Sequence, residues 1–211
     1  MARLTAHMSG RDAVSGLCDA VGLRQPGGWS GYFDLVRSWG AKTDLTSARG
    51  DRELAEILFL DALMVVKAGW CPKGATLVDI GAGVGAPTIP ILLSDDTLSA
   101  VLVEPRRIRA TFLRTVAGSL DIAARTKVLE HKLDPGDPSV AGAPFRIALS
   151  RATFAPDEWL RIGAQLAEEV WVLTAGAAPS RPSDVDLVRR LDYEVPSSGA
   201  PRTILGYRTR P

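Results

Sequence analysis

The residues best suited to chemistry lie in one short stretch from Asp79 to Pro87, which reads D-I-G-A-G-V-G-A-P. A short apolar run at 76–80 predicts a buried strand directly before it. The alternating glycines permit backbone angles closed to other residues and let a ligand come near the main chain. The next apolar run ends at an acid, Glu104. Strand, glycine turn, helix, strand and acid together are typical of a site that holds a nucleoside-containing cofactor.

The spacing of the glycines bears on which cofactor this is. The dinucleotide fingerprint places its third glycine one position later, where this chain has Ala86, although it tolerates alanine there. Pro87 favours a turn or a first helical position, and Asp79 supplies a carboxylate that a NAD site does not require. The pattern D-x-G-x-G-x-G resembles the first motif of class I S-adenosylmethionine (SAM) methyltransferases. A NAD site and a glycine turn without a ligand are the alternatives.

Strands and helices alternate after residue 72. Helical segments separate most of the predicted strands, which favours a mainly parallel sheet covered on both faces, while a short Pro-, Ser- and Gly-containing segment predicts a final antiparallel hairpin. The strands are predicted at 76–80, 100–104, 127–130, 145–150, 170–173, 193–195 and 203–207. We therefore predict an α/β fold with a three-layer, Rossmann-like class I methyltransferase sheet. A helical extension, 1–72, is expected to pack on a SAM-binding domain, 73–211.

Composition limits the possible partners. The 211 residues are 46% hydrophobic and 23% charged, as in ordinary globular domains. The net charge of +1 means that any nucleic-acid contact must come from a local patch. One candidate is the stretch 106–132, with seven basic residues against two acidic ones. A helix face that is exposed only to solvent would show the same charge pattern.

Two cysteines and two histidines fit no metal spacing, and no apolar run is long enough to span a membrane. We expect a cytoplasmic monomer without a metal.

Several segments resemble, in order, the small-subunit (16S) rRNA guanine-N7 methyltransferases of the GidB/RsmG family. Residues 39–46 resemble its W-N-x-x-x-N-L-T segment, 58–63 its H-x-x-D-S-L helix, and 79–90 its D-I-G-S-G-A-G-F-P-G-I-P turn. The sequence Ser150-Arg151-Ala152 matches its S-R-A signature. The similarity covers roughly residues 35–175. It implies SAM as cofactor and ribosomal RNA or the small ribosomal subunit as partner.

The chain departs from the family pattern mainly where the RNA would bind. Asp44 replaces an asparagine, Leu58 a histidine and Ala62 a serine, and the lysine expected after the fifth strand is missing from 173–176. The methyl donor is therefore better supported than the acceptor. A paralogous enzyme acting on another RNA or a small molecule is one alternative, and a non-catalytic SAM- or RNA-binding module is another.

The resemblance also implies roles for individual residues on the cofactor side. The turn would receive the methionine end of SAM on its backbone amides, Asp79 would bind the ammonium, and Glu104 would accept two ribose hydroxyls. Leu133 could pack on the adenine, and Asp134 could accept from its amino group, although a plain surface loop fits those two residues as well. The predicted cofactor residues are Asp79, Gly81, Ala82, Gly83, Gly85, Pro87, Glu104, Leu133 and Asp134.

On the acceptor side, Arg151 and Ser150 are predicted to lie near the transferred methyl group. Arg151 would orient the guanine or a phosphate as a rigid donor fork, and a structural salt bridge is the rival role. Asp44, Thr46 and Arg107 are further candidates for RNA contact. Guanine N7 carries a free lone pair, so catalysis would come chiefly from proximity and alignment, and no general base is expected.

Overall fold

The structure, a computed structural model, describes residues 10–43, 45–136, 144–180 and 184–210. Its helices are α1 (Gly10–Ala20), α2 (Trp29–Gly40), α3 (Asp51–Lys67), α4 (Thr88–Ser94), α5 (Arg107–Ser119) and α6 (Pro156–Gly163). Its strands are β1 (Thr76–Ile80), β2 (Ser99–Val103), β3 (Thr126–Leu129), β4 (Phe145–Ser150), β5 (Ala167–Thr174), β6 (Val185–Glu194) and β7 (Pro201–Thr209). A short 3-10 turn, Ala123–Arg125, precedes β3.

One seven-stranded sheet runs in the order β3-β2-β1-β4-β5-β7-β6. Strands β1 to β5 are parallel to one another, and β7 is antiparallel to both β5 and β6. This confirms the predicted α/β class and its antiparallel hairpin. The chain turns from one half of the sheet to the other between β1 and β4, and ligands of such sheets bind at the carboxyl ends of the strands beside that point.

The register brings three sequence motifs to this edge. Asp79 on β1 lies beside Leu102 on β2 and Leu149 on β4. The segments that follow these strands, with the glycine turn, Glu104 and Arg151, therefore emerge side by side. Parallel pairing alone brings together residues that are up to 72 positions apart in the chain.

The edge strand β6 is longer than the sequence suggested, since it begins at Val185 and not near residue 193. It carries charged residues and few buried ones, as expected at an exposed edge. Its strand conformation depends on pairing with β7, which runs from Val185 opposite Thr209 to Glu194 opposite Pro201. Hydrophobic patterning could not reveal a strand that is held mainly by backbone pairing.

The three N-terminal helices share one buried core with a face of the sheet. Trp29 and Phe59 stack with ring centroids 4.7 Å apart, and the Trp29 indole donates a hydrogen bond to the carbonyl of Pro90 in α4, 3.0 Å away. These helices thus pack directly behind the glycine turn. The division of the chain at residue 72 stays a prediction.

Candidate functional site

The glycine turn is folded back on the end of β2. The amides of Gly81 and Ala82 both donate to the carbonyl of Val103, at 2.8 and 3.1 Å, and the amide of Gly85 donates to Ala82 at 2.7 Å. The three glycines have φ values of 75°, 59° and 95°. This left-handed region strains any residue with a Cβ. Glycine is therefore required by the conformation of the turn.

The surroundings distinguish the three glycines. A Cβ on Gly81 would overlap Thr153, and one on Gly85 would lie 2.8 Å from Cγ1 of Ile89 and 2.9 Å from Cδ2 of Leu113. A Cβ on Gly83 would meet only the carbonyl oxygen of Gly81, at 3.9 Å. Two glycines therefore serve protein packing, whereas Gly83 faces open space in which a ligand can lie.

Glu104 is held in position by backbone donors, with only 3% of its surface exposed. Its Oε2 accepts from the amide of Gly83, and its Oε1 accepts from the amide of Arg106, both at 2.9 Å. A carboxylate oxygen has two acceptor positions. Among the described residues no other donor binds these two oxygens, so each keeps one acceptor position for a ligand hydroxyl.

Asp79 is buried beneath the turn, with 2% of its surface exposed. Burial raises the pKa of its carboxyl group to about 7, although the hydrogen bond from Thr88 Oγ1 (2.6 Å) and the positive charge of Arg151 oppose that rise. A cation placed against Asp79 would favour its ionised form. The group is therefore suited to bind an ammonium near neutral pH.

These features fit SAM, since an open glycine cradle lies beside one carboxylate suited to hydroxyls and another suited to an ammonium. One expectation needs qualification, because the amides of Gly81, Ala82, Gly83 and Gly85 already donate within the protein. Contact of these amides with the methionine end would require shared hydrogen bonds or a change in the turn. Pro87 precedes α4 directly and closes the turn. The individual roles remain predictions.

The two residues predicted near the adenine differ in exposure. Leu133 is buried in a core cluster that includes Ile80 and Val103, at the carboxyl ends of β1 and β2. Asp134 is exposed, and its Oδ1 accepts from the amide of Gly136 at 2.9 Å. Their predicted contacts with the base remain predictions.

A cleft of about 1440 Å³ adjoins the turn that follows β4, although no residue of the glycine turn lines it. Its walls are helix α3, the carboxyl ends of β4 and β5, and the hairpin of β6 and β7, and Arg151 lines it. The Arg151 guanidinium donates through Nη1 to the carbonyl of Ile57 (2.7 Å) and to Oδ2 of Asp61 (3.0 Å). The Arg151 guanidinium, which was predicted to act as a hydrogen-bond donor, therefore lies at a cavity and is also hydrogen-bonded to two residues of α3.

Ser150 and Ala152 shape the turn on either side of Arg151. The buried Ser150 hydroxyl donates to the carbonyl of Ile80 at 2.7 Å, which ties the end of β4 to the end of β1. This contact is structural, and the predicted catalytic role of Ser150 stays a prediction. Ala152 has φ of 58°, a left-handed conformation that is strained for alanine. Such strain at the end of a strand is common at functional sites.

The candidate RNA contacts are scattered. Asp44 lies outside the described residues. Thr46 is half-buried, and its hydroxyl accepts from the amide of Ala48 at 3.0 Å. Arg107 is exposed at the start of α5, and neither it nor Thr46 lines the cleft. Arg125, part of the basic stretch, donates to three carbonyls, those of Leu92, Asp95 and Leu98, and so serves the fold.

Three residues of the site were not among the predicted site residues: Tyr32, Asp61 and Tyr193. The fully buried Tyr32 donates from α2 to the carbonyl of Val84 in the glycine turn, at 2.8 Å. Tyr193 donates from β6 to Asp61 at 2.6 Å. A signal for Asp61 was present, since it is a lone acid on an apolar stretch of helix, but both tyrosines read as ordinary core or strand residues.

The departures from the family pattern fall into two groups. Leu58 and Ala62 are fully buried, so they change the core and not the surface of the cleft. Leu173, Thr174 and Ala175 line the cleft where a lysine was expected.

In the part of the chain that the structure describes, no cluster of His, Cys, Asp or Glu could hold a metal. No helix in that part is long and apolar enough to cross a membrane.

Comparison with known proteins agrees with this geometry. Residues 28–177 match the family model described as rRNA small subunit methyltransferase G (GidB). Proteins named ribosomal RNA small subunit methyltransferase G are 29% identical in Anaeromyxobacter dehalogenans (85% of this chain, 86% of the relative) and 28% identical in Myxococcus xanthus (79% and 80%).

Solved structures show the same fold at lower identity. The chain yhhF from Escherichia coli, provisionally named a methyltransferase, is 18% identical with a TM-score of 0.56, over 79% of this chain and 91% of that one. The tRNA methyltransferase TrmK of Bacillus subtilis is 12% identical with a TM-score of 0.51, over 70% and 65%. At this identity the likeness concerns the fold, and the family rests on the sequence match. With that match covering most of its length, the chain belongs to the rRNA small subunit methyltransferase G family.

Proposed function

We propose that this protein transfers a methyl group from SAM to N7 of a guanine in small-subunit rRNA. The observation that carries the proposal is the place of Arg151. Arg151 is one of the residues that line the cleft, and its positive charge opposes the rise that burial causes in the pKa of Asp79 beneath the glycine turn. One side chain thus joins the space suited to the methyl donor and a cavity large enough for a nucleotide.

On the cofactor side, Asp79 binds the ammonium of SAM and Glu104 binds its ribose hydroxyls. The bound sulfonium supplies an electrophilic methyl group. Glu104 is already oriented by two backbone amides, so binding requires little reorganisation. These contacts hold the donor while the protein excludes other orientations, which is a proximity effect.

On the acceptor side, Arg151 orients the guanine nucleotide. The N7 lone pair would form a bond to the methyl carbon as the sulfur–methyl bond breaks and the neutral thioether leaves, so N7 must not accept a hydrogen bond at the same time. The N–H groups of Arg151 therefore bind an oxygen of the nucleotide, either O6 or a phosphate oxygen. No proton leaves N7 before attack, and the site has no need of a general base.

The RNA is an unpaired segment, because N7 in duplex RNA faces a deep and narrow groove. Arg107 and its exposed neighbours on α5 contact phosphates next to the site. With rRNA as partner, the protein works in the cytoplasm, as a monomer.

A second candidate is a methyltransferase acting on another RNA or a small molecule. It is favoured by the cleft wall at Leu173, Thr174 and Ala175, where the family pattern has a lysine. An uncharged wall would weaken phosphate binding and could accept a different nucleotide.

The test is methyl transfer from tritiated SAM to small ribosomal subunits taken from a strain that lacks this protein. The rRNA is digested to nucleosides and separated by chromatography. We expect label in N7-methylguanosine with undermethylated subunits and none with fully methylated ones. Label in another nucleoside or in a metabolite would support the second candidate. Absence of label in N7-methylguanosine would refute the leading one.

A further inference from the structure

Asp61 connects three separate parts of the chain at the wall of the cleft. Its Oδ2 accepts from Arg151 Nη1 at 3.0 Å, and its Oδ1 accepts from the Tyr193 hydroxyl at 2.6 Å. The three residues come from α3, from the turn after β4 and from β6. Their pairings span 90 and 132 residues of sequence. A single carboxylate thus joins the helical extension, the parallel sheet and the terminal hairpin.

Both contacts of Asp61 are sheltered from solvent. The side chain of Asp61 is 13% exposed and that of Arg151 is 28% exposed. Burial, reinforced by the negative charge of Asp61, raises the pKa of Tyr193. The phenol therefore keeps its proton and remains a donor to Asp61 at every physiological pH. Sheltered, charge-assisted hydrogen bonds of this kind hold side chains in one orientation.

The N–H groups of Arg151 show which hydrogen-bond donors this orientation leaves available to a ligand. A guanidinium carries five N–H groups. The two on Nη1 bind Asp61 and the carbonyl of Ile57. Across the described residues, no acceptor is bonded to Nε or Nη2, whose three N–H groups remain. Because Arg151 lines the cleft, these donors are available to an acceptor placed there.

A purely structural ion pair explains less of this arrangement. Well-packed apolar residues usually stabilise a fold as well as a buried ion pair does, and they would leave no donors beside a cavity. The strained backbone of the adjacent Ala152 also indicates that the position of Arg151 is maintained against a conformational cost. The arrangement is therefore better explained by the positioning of Arg151 than by stability.

We propose that Asp61 and Tyr193 are positioning residues of the methyl-acceptor site. They orient the Arg151 guanidinium toward the cleft so that its remaining N–H groups donate hydrogen bonds to an oxygen of the guanine nucleotide. The hairpin of β6 and β7 thereby becomes part of the acceptor site, although it is remote from the glycine turn in sequence. This inference rests on the proposed function and adds to it which residues control the acceptor.

The test compares Asp61→Asn and Tyr193→Phe with the wild type in steady-state methylation of undermethylated subunits. Asp61→Asn weakens the hold on Arg151, and we expect kcat to fall about 10- to 100-fold, as for a misplaced catalytic group. Tyr193→Phe removes one hydrogen bond, and we expect a fall of about 3- to 10-fold. The double variant should be no worse than Asp61→Asn, because both changes act through one carboxylate.

The readout that separates positioning from stability is SAM binding measured by calorimetry. Both variants should bind SAM as the wild type does, while kcat or the KM for the subunit changes. The matched control is Asp192→Asn, which removes a carboxylate one position from Tyr193 that pairs with Arg190 and the Thr203 hydroxyl on the exposed edge. It should leave both measurements unchanged.

Each outcome has a separate meaning. Wild-type kcat in both variants would overturn the positioning role and leave the proposed function intact. Loss of SAM binding in parallel with kcat would show that Asp61 and Tyr193 only maintain the fold, and would overturn the role as well. A wild-type protein that methylates no rRNA would refute the proposed function itself.

Discussion

The cofactor side and the acceptor side of the site are built in different ways. On the cofactor side, main-chain amides and one carboxylate from a single stretch of chain contact each other, and Gly83 and Glu104 are only 21 residues apart. On the acceptor side, side chains from three distant elements meet, and Tyr193 and Asp61 are 132 residues apart. The first is local and depends on backbone conformation, whereas the second depends on how the helices and the hairpin pack.

This difference accounts for the departure from the family pattern at the cleft wall. A turn held by backbone conformation accepts few residue types, so its glycines and its acid are recognisable. A wall assembled from side chains can change its chemistry while the fold persists, as at Leu173 to Ala175. We therefore expect the proposed cofactor side to identify the chemistry and the proposed acceptor side to set the substrate. Four predictions test this division, in order of decreasing effect.

Substitution of glycines within one turn should separate packing from ligand binding. Gly85→Ala forces a Cβ against Ile89 and Leu113 at a left-handed φ, and we expect a loss of about 2–5 kcal/mol in the free energy of unfolding. Gly83→Ala meets no such neighbour, so it should lose about 1–2 kcal/mol and mainly weaken SAM binding. Chemical denaturation and calorimetry measure both. Equal losses of stability would contradict the assignment of open space to Gly83.

Glu104→Gln tests the cofactor side alone. The amide cannot accept on both arms, so one hydroxyl contact to a charged group is lost together with an acceptor for a backbone amide. We expect SAM affinity to fall about 100-fold, with binding of the ribosomal subunit unchanged. Glu168→Gln, which removes an exposed carboxylate paired with Arg146 at the opposite end of the sheet, is the matched control. If Glu104→Gln instead weakened binding of the ribosomal subunit and left SAM affinity unchanged, Glu104 would belong to the acceptor side and the assignment would be wrong.

The pH dependence should isolate Asp79. Its pKa is about 7 in the folded protein against 3.8 for the ordinary group, so the folded state binds the proton more tightly than the unfolded state. The free energy of unfolding without ligand should therefore fall as pH rises between these values. SAM affinity should rise in the same range, about tenfold per pH unit below the pKa, because the ammonium requires the ionised carboxyl group.

Asp79→Asn supplies the comparison for both pH profiles. The substitution removes the titrating group, so the stability and the SAM affinity should each lose that component of their pH dependence. Denaturation and calorimetry across acidic to neutral pH give the two curves. Identical slopes in the variant and the wild type would show that another group titrates.

The smallest effect is expected for Tyr32→Phe, which removes the hydrogen bond between helix α2 and the glycine turn. Loss of its hydrogen bond to Val84 frees the glycine turn, and we expect SAM affinity to fall about 2- to 10-fold. Tyr207→Phe, which changes a buried tyrosine on β7, should leave SAM affinity unchanged. If both variants weaken SAM binding equally, the effect is general loosening of the fold and not control of the turn.

Sequence reasoning succeeded where the physical signal was local. The bounds of β1 and β4 were predicted to the residue, because apolar runs between turn residues mark buried parallel strands. The start of β6 was missed by eight residues, since its polar sequence adopts strand conformation only beside β7. Within the candidate site, Glu104 could be predicted from its position after a strand. Tyr193 was not, because nothing near it in the chain reveals its partner.

By itself the sequence determined the cofactor turn, since positive φ values and open space at the main chain require glycine, and a buried carboxylate at a strand end requires an acid. It also determined the order in which the strands and helices follow one another along the chain. Only the tertiary structure decided what lies opposite Arg151. Asp61, Tyr193 and the carbonyl of Ile57 reach it through packing of α3 and the hairpin. Contacts between distant side chains depend on the arrangement of whole elements, which no local pattern records.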